Sequence, residues 1–141
     1  MRQLAWAMVR LDNYLEHLFR DREKSESPVA TLVAVVGISL SREFGDQEVR
    51  RLSALRADDG CTYALKETTF FGAASPVHKA PLVTLVRLAD FDPLRPVHPD
   101  QITVVGCYAS EHEARAIVET YSPGLAAEHA VMATRWRTPK V

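Results

Sequence analysis

The sequence predicts an α+β fold, with N-terminal helices followed by a mostly antiparallel sheet of about four strands and one inserted helix in a C-terminal βαβ unit. Three observations predict it. Apolar residues before position 57 recur at helical spacing. From Cys61 onward they alternate with period two. The last forty or so residues read as strand, helix, strand.

Leu4, Met8, Leu11, Leu15 and Leu18 step by four and three, which predicts a helix with one apolar stripe. The polar stretch 21–26 would end it. Ser27-Pro28 then reads as an N-cap with proline at the first helical position. Val29, Leu32, Val33, Val36, Leu40 and Phe44 follow at helical spacing, with Gly45 as the stop. Val, Ile and Thr are dense here, so a buried strand competes for residues 28–44. The helix is preferred because its start and stop signals agree. Asp46 caps a third helix carrying Val49, Leu52 and Leu55, and Asp58-Asp59-Gly60 turns the chain.

Strands are expected over 61–71, 82–91 and 101–109. Ser110 followed by Glu113 is a capping-box pattern opening a helix whose apolar face is Ala114, Ile117, Val118 and Tyr121. Pro123-Gly124 breaks it, and 130–136 alternates as a last strand. The prolines at 93, 96 and 99 make a stiff connector between strands, with a groove-binding PxxP segment as the competing reading. No internal repeat is visible. The chain is expected to be one domain over 1–141, helical over 1–57 and sheet over 61–137.

Composition narrows the function. The 141 residues are 47% hydrophobic and 25% charged, ordinary values for a globular domain. A formal net charge of -1 provides no whole-domain basic field to draw in nucleic acid or an anionic membrane. The apolar run 29–38 is too short to span a bilayer. The stretch 4–9 ends too early for a signal peptide. Cys61 and Cys107 lack CxxC spacing and read as packed thiols. A cytoplasmic location is the expectation.

No GxSxG, HExxH or glycine-rich phosphate loop occurs. The sequence therefore assigns no catalytic, cofactor-binding or metal-binding residue and implies no cofactor. It predicts a non-enzymatic binding protein, acting on a protein partner or a small apolar ligand. The stripe Leu4, Met8, Leu11, Leu15 and Leu18 would form the face of a homodimer. Two other readings compete. An enzyme site assembled from scattered groups would involve His78, Cys107, His112 and Glu113. A nucleic-acid face would use Arg50, Arg51, Arg56, Arg135 and Arg137, although a solvated face explains those arginines more simply.

Overall fold

The computed structural model describes residues 2–12, 28–55, 61–72, 76–92 and 94–139. Six strands dominate: β1 (Arg2–Asp12), β2 (Val33–Ser39), β3 (Cys61–Phe71), β4 (Pro81–Leu88), β5 (Ile102–Tyr108) and β6 (His129–Arg135). Between them lie α1 (Pro28–Leu32), α2 (Arg42–Leu55), α3 (Glu111–Val118) and α4 (Pro123–Ala126). The strands form one mixed sheet in the order β2-β1-β3-β5-β4-β6. A parallel bridge between Ile38 and Trp136 brings the two ends of that order together, so the sheet is a nearly closed barrel.

This overturns the predicted architecture. The segment read as the first helix is β1. Its inward row is Ala5, Ala7, Val9 and Leu11, all in the barrel core. Met8 is buried on the opposite face, beside its cross-strand neighbour Leu65 and beneath α2, while Leu4 is exposed. A strand covered on both sides needs no polar alternation, and that left a pattern which also fits helical spacing. Leu4, Met8 and Leu11 therefore share no stripe, and Leu15 and Leu18 lie outside the described residues. The dimer face loses its basis.

Residues 28–44 divide in three. Only Pro28–Leu32 forms the short α1, which buries Val29 and Leu32 in the core. Val33–Ser39 is β2, as its β-branched density suited. Ser41 then caps α2, its Oγ accepting from the Phe44 N–H at 3.2 Å. Gly45 and Asp46 fall inside that helix, so neither is a stop or a cap. The predicted C-terminal unit is also modified. Strand, helix and strand follow one another, but β4 sits between β5 and β6 and is antiparallel to both. Among the described residues no helix is long and apolar enough to cross a membrane.

A repeat that the sequence did not reveal emerges from the pairing. The units β1-β2-α2-β3 and β4-β5-α3-β6 have the same connectivity, the first strand of each pairing antiparallel with the other two. Met8 faces Gly37 in one and Leu85 faces Gly106 in the other. A bulge follows Met8 in one and Leu85 in the other. Ser41 and Ser110 cap the equivalent helices through the backbone N–H three residues on. The units join at two parallel seams, β3 beside β5 and β6 beside β2. A threonine stitches each: Thr68 Oγ1 donates to the Val104 carbonyl at 2.9 Å, and Thr134 Oγ1 to that of Val35 at 2.8 Å. The pairing scheme is unchanged when the units are exchanged.

Candidate functional site

Equivalent seams invite comparison, and they are finished in opposite ways. At the β3–β5 seam Phe71 lies across Gly106, where a Cβ would fall 2.8 Å from the ring. Phe71 stacks on Tyr108 with centroids 5.3 Å apart, and α3 adds Ile117 and Val118 to this apolar patch. At the β6–β2 seam the residue in the place of Phe71 is Arg137. Its stem lies across Gly37, where a Cβ would fall 2.6 Å from Cδ. The residue in the place of Ile117, at the same step beyond its capping serine, is Glu48. One seam is sealed with hydrocarbon and the other with ions.

The ionic seam opens into a cleft of about 570 Å³ lined by Phe44, Glu48, Arg51, His78, Lys79, Arg135, Arg137 and Thr138. Phe44, Glu48 and Arg51 project from one face of α2 because they recur at helical spacing. Arg135 ends β6, and the chain beyond it brings in Arg137 and Thr138. The turn before β4 supplies His78 and Lys79. Lys79 adopts a left-handed backbone (φ 69°) and donates its N–H to the Trp136 carbonyl at 2.9 Å.

Arg137 is held at several points. Its backbone N–H reaches the Ile38 carbonyl at 2.8 Å, its Nε the Val36 carbonyl at 3.1 Å, and its Nη1 reaches Glu48 Oε2 at 3.1 Å. Arg51 takes the same carboxylate with two donors, Nη2 to Oε2 at 2.7 Å and Nε to Oε1 at 3.2 Å. The Glu48 side chain is only 16% exposed. The Arg51 hydrogen bond, the charges of Arg51 and Arg137 and the bond from Arg137 hold its carboxyl below the ordinary range, against an opposing effect of burial. His78 Nδ1 accepts from the Thr138 N–H at 3.1 Å, so the neutral ring carries its proton on Nε2, its one donor.

Among the described residues lining the cleft, four basic side chains thus meet a single carboxylate, within a chain whose net charge is -1. Among the described residues, the Lys79 and Arg135 side chains have no hydrogen-bonding or ion-pair partner. The arrangement is suited to holding an anion. It is poorly suited to proton abstraction, because its carboxylate is stabilised in the ionised form and is therefore a weak base.

Of the arginines singled out from sequence, Arg51, Arg135 and Arg137 come together here. Arg50 points to a different part of α2, beside Arg42, Glu43, Asp46 and Gln47. Arg56 lies outside the described residues. The group His78, Cys107, His112 and Glu113 does not line one cavity. His78 belongs to the cleft, Cys107 is fully buried in the barrel core, and His112 and Glu113 are exposed at the start of α3. Burial pushes the Cys107 thiol up to about 12, opposed by a hydrogen bond with Thr68. No metal-holding group of His, Cys, Asp and Glu occurs among the described residues. Sequence reasoning missed Glu48, Lys79 and Thr138. The available signal was VVG at 35–37 recurring at 104–106, whose spacing also sets Ser41 against Ser110 and Glu48 against Ile117, whereas the match of Arg137 with Phe71 comes only from the strand pairing. No protein-family model matches the chain, and neither does any curated protein or solved structure.

Proposed function

We propose that this protein is a binding protein without chemistry of its own, and that its ligand carries phosphate at the β6–β2 cleft. The observation that carries the reading is the convergence of Arg51, Arg135, Arg137 and Lys79 around one open space. A phosphate group offers enough charge and enough acceptor oxygens to engage several cations at once, and the planar fork of arginine suits it. The alternative apolar ligand has less support, because the inward side chains of the described strands pack against one another in one buried core. Gathering three of the five sequence-chosen arginines also favours a phosphodiester strand as the natural form of that ligand. A small phosphate compound is the other source.

Calorimetric titration at low salt with sodium pyrophosphate and with a short oligothymidylate tests the reading and separates the sources. Binding of either supports it. Tighter binding of the strand, with a steep salt dependence, assigns the polymer. The double variant Lys79→Glu and Arg135→Glu is expected to lose at least tenfold in affinity. No heat with either probe, or undiminished binding by that variant, overturns the reading.

A further inference from the structure

We propose that Glu48 is a built-in occupant of the anion position, and that ligand enters by displacing its carboxylate from Arg137 and Arg51. The inference rests on the binding reading above.

Both guanidiniums converge on Glu48 Oε2, and Arg51 adds a second bond to Oε1, the fork geometry that arginine also offers to phosphate. The fold does not require an ion pair there. At the exchange-related position the chain carries Ile117, and that seam closes through Phe71 and Tyr108. Desolvating an ion pair in place of apolar contacts brings little or no net stability. A carboxylate retained at that place therefore has a use other than closure.

The partners differ in freedom. Arg137 is fixed by the Val36 carbonyl and by Gly37 beneath its stem, so it stays when the carboxylate leaves. Arg51 is 51% exposed and can turn toward a new anion. Lys79 and Arg135 attract the incoming charge while Glu48 repels it. A ligand must then outcompete an internal carboxylate, which selects multiply charged phosphate over single carboxylates.

The opposing possibility is that Glu48 positions the arginines and favours binding. The two give opposite signs. Titrated with pyrophosphate at low salt, Glu48→Gln is expected to bind about tenfold tighter than the natural protein, roughly 1.4 kcal/mol. A second measurement uses the unaltered chain. With glutamate labelled at the side-chain carboxyl carbon, saturation with pyrophosphate should move the Glu48 resonance toward that of a solvated carboxylate. Wild-type binding with equal or weaker binding by Glu48→Gln, or with an unmoved Glu48 resonance, overturns the displacement and leaves the cleft assignment standing. No binding by either protein overturns both.

Discussion

Phe70 and Trp136 meet edge to face, with ring centroids 5.0 Å apart and planes at 82°. They occupy equivalent places in the two ββαβ units, one on each seam. Each unit thus contributes one ring to a contact that joins the halves at the centre of the barrel. Phe70 is 1% exposed and Trp136 3%.

That contact sets the first prediction. Phe70→Ala should destabilise the fold by about 3–5 kcal/mol, since it removes a fully buried ring and leaves a cavity. Trp136→Ala should cost a similar amount. The double variant should cost less than the sum, because the residues touch. Urea unfolding followed by circular dichroism measures all three.

The two seam glycines should respond differently in function. Gly37→Ala places a methyl against the Arg137 stem and should weaken pyrophosphate binding severalfold by displacing that guanidinium. Gly106→Ala meets the Tyr108 hydroxyl and Phe71 instead. It should cost about 1–3 kcal/mol of stability through overpacking and leave pyrophosphate affinity unchanged. Calorimetry on both variants, with thermal melts, separates the effects.

Cys107 predicts a decline in stability at alkaline pH. Its thiol ionises near the ordinary 9.0 when the chain unfolds and at about 12 when folded. The folded state therefore holds the proton over that interval, and no penalty exists below it. From about pH 9 upward this group should remove up to about 1.4 kcal/mol of stability per pH unit. Cys107→Ala should flatten that slope in urea melts at pH 8 to 10, relative to the natural chain. In the native protein the buried thiol should resist alkylation at pH 8.

Glu48 predicts the opposite limb. Its carboxyl titrates below the ordinary 4.5, so its contribution is present above that value and declines as pH falls through the depressed one. Glu48→Gln should therefore unfold with a shallower acid dependence below pH 4.5. Carbon-detected titration of the glutamate carboxyls should find Glu48 among the last to protonate.

Residue chemistry spelled out the second half of the chain better than the first. The strands expected over 61–71 and 82–91 exist as Cys61–Phe71 and Pro81–Leu88, the second ending before Ala89, and Ser110 does cap α3. β1 was misread because α2 covers its outer face, so Met8 is as buried as Ala7. In β2 burial alternates only over residues 33–36, all of them apolar, and Gly37, Ile38 and Ser39 are then buried in succession, so the sequence shows no period-two alternation of polar and apolar residues. The repeat was hidden because its connecting segments differ in length, so equivalent positions in the two units keep no constant spacing, and because different apolar residues fill the same inward places. Only VRL at 9–11 and 86–88, and VVG, survive as text. The cleft was half legible. Arginines can be counted in a sequence, but that Glu48 would lie between two of them depends on the seam.

The closing contacts join residues far apart in the chain. Arg137 is bonded to Ile38, and Thr134 to Val35. Such pairings carry a large loop-closure entropy and form slowly. The cationic recess is complete only once the segment after β6 lies beside β2. On the proposed reading, a chain shortened before Arg135 lacks two of the four cleft cations and should not hold pyrophosphate.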